Sequence, residues 1–154
     1  IRGLFDIEKK PSAAKLLNEL DQRRASNTIN LGVLTRVGNA YLLRYKGEDN
    51  WSSDLSTASQ ALDVNVLHQL ILKPVCGIDT RNQHDLGHLA YVRGNEPPLE
   101  MIKNVSDYDF IFFVNPPDLD QIFDVAETGE TMPQKSTYFY PKVYSGLVTA
   151  GIGD

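Results

Sequence analysis

An α+β fold, with a mixed sheet that holds a β-hairpin and a βαβαβ-like C-terminal half, is the architecture this sequence predicts. Three observations carry the prediction. Two strand-like runs flank Gly38-Asn39; two segments place apolar residues at helical spacing behind capping side chains; and from Leu89 onward strand-like and helix-like runs alternate. The 154 residues fit one domain, 1–154, with enough chain to bury a core.

Taken in order, Ile1 to Ile7 mixes apolar and polar residues and reads as a strand. Ser12 is placed to cap a helix with apolar positions Ala13, Leu16, Leu17, Leu20 and Ala25, while Glu19 and Arg23 stand at the spacing of a favourable pair on its polar side. Leu31 to Val37 and Ala40 to Tyr45, joined by Gly38-Asn39, predict a hairpin with a two-residue turn. A polar loop from Lys46 to Ala61 carries the single tryptophan, Trp51, expected to plug the domain surface. Asp63 is read as the cap of a helix with the stripe Val64, Leu67, Leu70 and Ile71, stopped by Pro74. Leu89 to Val92 reads as a short strand, and Pro98 opens a helix through Met101, Ile102 and Val105. Phe110 to Val114 is apolar throughout, as in a central strand covered on both faces, and Asn115-Pro116-Pro117 ends it. Asp118 with Gln121 forms a capping-box pattern ahead of Leu119, Ile122, Phe123 and Ala126, with Gly129 as the C-terminal cap. A last strand is expected at Tyr138 to Lys142, and residues 146–153 read as a loose tail.

Composition narrows the function classes. The chain is 42% hydrophobic and 23% charged, and its net charge of −5 with scattered cations argues against nucleic acid as a partner. No apolar run approaches the roughly 20 residues of a membrane span, so no membrane partner is expected. A single cysteine, Cys76, leaves no internal disulfide and fits a reducing, cytoplasmic setting. The first residue, Ile1, is not methionine, which points to a fragment, the C-terminal portion of a longer protein.

Chemistry concentrates in Met132 to Lys142. Gln134, Lys135, Ser136 and Thr137 follow the turn residue Pro133 and precede the aromatic run Tyr138-Phe139-Tyr140. A lysine beside two hydroxyls supplies one charge and short donors, the groups a phosphate or carboxylate accepts from. It is not a P-loop, because no glycine-rich turn precedes the lysine. Asn115 joins these residues as a ligand-binding candidate: if the strands at 110–114 and 138–142 run antiparallel, Asn115 and Thr137 meet at one end. His68, on the border of a helical stripe, is the remaining candidate, and a hydrogen-bonded packing histidine is the plainer reading. His84 and His88 stand four apart, but Gly87 interrupts them and no third ligand is close, so no metal site is assigned. Asp118, Asp120, Asp124, Glu127 and Glu130 read as a solvated acidic face before they read as a magnesium site. There is no Gly-x-Ser-x-Gly elbow and no dinucleotide fingerprint.

Val66-Leu67-His68 through Pro74, Phe110 through Pro116, and above all Val125-Ala126-Glu127-Thr128-Gly129-Glu130-Thr131-Met132-Pro133-Gln134-Lys135-Ser136-Thr137-Tyr138-Phe139-Tyr140-Pro141-Lys142, continuing into Ser145-Gly146-Leu147-Val148, resemble the C-terminal part of the domain of unknown function 1015 family. Pro117 departs from that pattern, which has a small hydroxyl residue after Asn-Pro. The resemblance implies a missing N-terminal half with an Asp-Gly-His-His-Arg signature, similar to one in ParB-like and free-serine-kinase proteins. By that analogy the intact protein is a nucleotide- or phosphate-dependent enzyme, a nucleotide with magnesium is the implied cofactor, and this part contributes the anion-binding segment. The alternatives are a non-catalytic binding or assembly domain that pairs through its aromatic edge with the N-terminal half or with another subunit, and a purely structural role for the same segment.

Overall fold

The computed structural model describes residues 1–23, 28–47, 51–52, 54–92, 107–133 and 136–137. Among the described residues four strands form one antiparallel sheet: β1 (Phe5–Lys10), β2 (Asn30–Thr35), β3 (Ala40–Tyr45) and β4 (Phe110–Phe113), in the spatial order β1-β3-β2-β4. The helices are α1 (Ala13–Arg23), the short α2 (Thr57–Gln60), α3, and α4 (Leu119–Glu127). The α3 helix is one run of residues 63–76 built from an α-helical segment Asp63–Leu67, a π-helical turn His68–Leu72 and a final α-helical turn Lys73–Cys76. A 3₁₀ turn covers Asp85–His88. Helices and an antiparallel sheet together make this an α+β fold, as the sequence predicts.

Strand alternation sorts the sheet residues onto two faces. Leu34, Ala40 and Leu42 are buried under α1 with its Leu16 and Leu20. Phe5, Leu31, Val33, Leu43 and Tyr45 point the other way and form the larger core with Val66, Leu67, Ile71 and Leu72 of α3. In that core Phe5 and Tyr45, directly opposed in the β1–β3 register, stack in a tilted pair 5.5 Å apart. Trp51, half-buried, packs against the same cluster. Lys10 ties β1 to α1, with Nζ 2.6 Å from both Glu8 and Glu19. Burial alone would lower the Lys10 pKa, but hydrogen bonds to Glu19 and Glu8 reverse the effect and hold it above its ordinary value. Glu19 also takes Arg23 at 2.8 Å, the helical pair the spacing predicts. Ser12 caps α1 by accepting the Lys15 N–H.

Several expectations are corrected. The first strand starts at Phe5 and runs on to Lys10. The hairpin joins β2 and β3, but its connection has four residues, 36–39, because the turn closes on Thr35: its carbonyl accepts the Gly38 N–H at 2.7 Å and its own N–H donates to the Asn39 carbonyl at 3.0 Å. Pro74 does not stop α3. The Lys73 N–H bonds back to the His68 carbonyl, five residues earlier, and this widened turn carries the helix past the proline to a left-handed Gly77. Asp63 is the first helical residue and Leu62 the cap, so the carboxylate is free for another partner. Leu89 to Val92 is not a strand, and Tyr91 and Val92 are exposed; strand propensity needs a neighbour, and none pairs there among the described residues. Among the described residues Phe110–Phe113 lies at the end of the strand order beside β2, and both of its faces are partly covered: Ile111 and Phe113 pack on the α1 side, Phe112 on the α3 side. The helix expected at 98–105 and the strand at 138–142 fall outside the described residues, so β4 and α4 are what is described of the βαβαβ-like half.

The central strand β2 is buried from Asn30 to Leu34. Gly32 lies on its α1 face, and a Cβ there would stand 2.6 Å from Leu20 Cδ1 and 3.1 Å from Phe113 Cβ. Gly32→Ala is therefore expected to lower stability by about 1–3 kcal/mol in urea denaturation. Combining it with Leu20→Ala should give less than the sum of the two losses, because the shorter side chain removes the nearer clash.

Candidate functional site

The residues that gather chemistry lie where α2 meets the start of α3, and two side chains from opposite ends of α4 reach into that junction. Ser56 caps α2 by accepting the Ser59 N–H, and the Ser59 carbonyl accepts the buried Asn65 side-chain amide of α3 at 2.8 Å. The local sequence explains this geometry: a serine cap, one short turn of helix, and Leu62 in extended backbone before α3 begins.

From the far side comes Asn115, which follows β4. Its Nδ2 donates to the Asp63 carboxylate at 3.2 Å. Burial pushes the Asp63 carboxyl up to about 6, against the partial opposition of hydrogen bonds from Asn115 and from its own backbone. From the other end of α4 comes Glu130. Its carboxylate accepts the Ser56 N–H at 2.6 Å, the Ser56 hydroxyl at 3.1 Å and the Ser59 hydroxyl. Here the donors prevail over burial: the Ser59 hydroxyl first, then the Ser56 groups, hold Glu130 below its ordinary value. Burial thus raises one of these carboxyl groups while donor supply lowers the other.

The helix between these contacts is set by its own sequence. Asp118 accepts the Gln121 N–H at 2.8 Å while Gln121 Oε1 accepts the Asp118 N–H at 3.1 Å, completing the capping box. Val125 is fully buried, and Gly129, with φ +79°, ends the helix and turns the chain toward Glu130.

The predicted residues separate. Asn115 belongs to this junction. His68 does not share it: it is buried in the π-helical turn, its Nδ1 lies 3.1 Å from Thr80 Oγ1, and burial lowers its pKa. Ser136 closes a turn on Pro133, its hydroxyl donating to the Pro133 carbonyl at 2.6 Å and its N–H to the same oxygen at 3.3 Å. Thr137 is half-buried. Gln134 and Lys135 lie outside the described residues, as does the aromatic run 138–140. His84 and His88 are exposed, and among the described residues no three His, Cys, Asp or Glu side chains gather as a metal site. Among the described residues no helix is long and apolar enough to cross a membrane.

Sequence reasoning missed Asp63 as a partner of Asn115 and Glu130 as an anchor. Asp63 reads as a helix cap and Glu130 as one of several solvated acids, and both contacts span more than 50 residues, beyond the reach of any local pattern. Comparison with family models, with curated proteins and with solved structures finds no match for this chain.

Two predictions follow from this electrostatics. Asp63 titrates near 6 when folded against an ordinary 3.8, so between those pH values the native state keeps a proton that the unfolded chain has released. Stability therefore falls as pH rises through that window, by an amount on the order of 2–3 kcal/mol. Asp63→Asn, which keeps an acceptor for Asn115, should melt above the wild type at pH 7.5 and together with it near pH 3.5; a lower melting point at pH 7.5 would contradict the assignment. Glu130 has the opposite sign, contributing stability above its ordinary value that is lost as pH falls through its depressed folded one. Glu130→Ala should cost about 1–2 kcal/mol at neutral pH and speed amide exchange across residues 119–127 more than across β1–β3.

Proposed function

We propose that the intact protein is a nucleotide- or phosphate-dependent enzyme of the kinase-like, phosphoryl-transferring kind, and that this chain is its C-terminal part, resembling the domain of unknown function 1015 family. The observation that carries the reading is the Asp63–Asn115 pair. A half-buried carboxyl held near 6 by its surroundings and oriented by an amide is suited to take a proton from a substrate hydroxyl close to neutral pH. Phosphoryl transfer otherwise asks mainly for positioning and charge neutralisation. The segment after Glu130 can supply both, since Glu130 anchors its start on α2 and the sequence then provides Lys135 and two hydroxyls.

The described residues do not by themselves fit a magnesium ion. Asp118, Asp120, Asp124 and Glu127 are exposed, and Glu130 is committed to Ser56 and Ser59. In this reading magnesium arrives with the nucleotide phosphates and the N-terminal half completes the site. A cytoplasmic setting belongs to the same proposal.

A second reading rests on a separate observation. Phe110, Val114, Leu119 and Phe123 are large apolar side chains, each at least 40% exposed, on β4, its exit and the start of α4. They favour an assembly role in which this domain pairs with the N-terminal half or with another copy.

A thermal-shift measurement on the full-length protein with ATP and magnesium separates the two. The enzyme reading expects a rise in melting temperature that Lys135→Ala abolishes. No rise with any nucleotide tested would sink it and leave the assembly reading.

A further inference from the structure

On the face of the sheet that α1 covers, one charged side chain has no partner in the fold. Arg44 of β3 stands two residues beyond Leu42, so it shares the α1 face. Its Nε is buried without a hydrogen-bond partner, and among the described residues its guanidinium forms no ion pair. The strand register offers it two acceptors directly opposite, Asp6 on β1 and Asn30 on β2, and it takes neither. Asp6 lies 3.6 Å from Lys46 Nζ instead. Asn30 is wholly buried, donates its amide to the Thr28 carbonyl at 2.6 Å, and leaves its own Oδ1 unpartnered. A buried donor is costly to keep in this way unless something from outside the chain meets it.

Arg44 also lines a cleft of about 260 Å³, at the small end of ligand sites, whose other walls are Asp6, Ile7, Glu8 and Leu42. We propose that this cleft binds a small zwitterion, a free amino acid, with its carboxylate on Arg44 and its ammonium on Asp6. After a small rotation into the cleft, the guanidinium offers its Nε and Nη hydrogens side by side and matches a carboxylate in both geometry and charge. A phosphate dianion would meet the same fork but lie against two carboxylates, and a simple cation would lie against the arginine. A guest that carries both signs suits both walls. Of the two acids, Asp6 is the one free to be recruited. Glu8 is held 2.6 Å from the buried Lys10, whereas the Asp6–Lys46 pair is 3.6 Å long and exposed on both sides, so it binds its partners weakly. The site is independent of the α2–α3 junction, since α3 packs on the opposite face of the sheet.

The test uses the full-length protein, calorimetry and thermal melting, with the L-amino acids offered singly and with acetate and ethylammonium as half-ligands. At least one amino acid is expected to bind and to raise the melting temperature, while neither half-ligand does so at the same concentration. Arg44→Gln should weaken that binding about tenfold or more, and Asp6→Asn should weaken it by a smaller factor. Without ligand both variants should melt with the wild type, because Arg44 Nε gives up no hydrogen bond and Asp6 only an exposed pair. Should Arg44→Gln melt early, Arg44→Lys takes its place: it keeps the charge, loses the fork and should still bind more weakly than the wild type. The proposal is overturned if no amino acid binds, if acetate binds as tightly as the amino acid, or if the arginine variant binds as the wild type does.

Discussion

The fold depends on how closely two neighbours approach the backbone of β2 at Gly32. On the α1 face, Leu20 and Phe113 occupy the space where any larger residue would put its Cβ. That vacancy lets α1 settle onto the sheet and lets β4 lie beside β2 with Phe113 opposite Gly32. The rest of the first layer follows from it. Leu16, Leu34, Ala40 and Leu42 close around the contact, and Lys10, buried between Glu8 and Glu19, locks the start of the layer to β1. Lys10 is the kind of charge that burial tolerates only when paired, and both of its partners are at hydrogen-bonding distance.

With β4 placed, the remaining question is where the chain after it goes, and polar contacts decide that. Asn115 and Glu130, before and after α4, both reach the α2–α3 junction. Only Val125 of the helix is deeply buried, while Leu119 and Phe123 face outward. Packing alone is therefore a thin hold on α4, and the directional bonds at its two ends orient it. The same bonds make the junction chemically uneven. Glu130 gains donors and stays ionised, whereas Asp63 gains burial faster than donors and holds its proton to a higher pH.

Local chemistry was legible wherever cause and effect lie within a few residues. Ser12, the Glu19–Arg23 pair, the second hairpin strand, the Asp118–Gln121 capping box and the Gly129 cap are all present as read. The local readings that failed did so where backbone hydrogen bonding took a course that residue type alone does not specify. Arg36 and Val37 looked like strand and became turn because Thr35 closes the connection on Gly38 and Asn39. The apolar run Phe110–Phe113 reports that both faces are covered, and it carries no information about lateral position in the sheet. Pro74 looked like a stop, yet the preceding turn widens and the helix passes it.

By itself the sequence determined the α+β class, the positions of α1, β3, β4 and α4, the Ser12 and Asp118 caps and the presence of a cation-and-hydroxyl segment, since each depends on spacing and propensity along a short stretch of chain. Only the tertiary structure decided the order of the described strands, the pairing of β4 with β2, the partnership of Asp63 with Asn115, and the mooring of Glu130 on two serines. Those contacts join residues 52 to 74 positions apart. No periodicity encodes such pairs; they exist because two packed layers bring the ends of α4 to one junction, where burial and donor supply then set the charge on each carboxyl group.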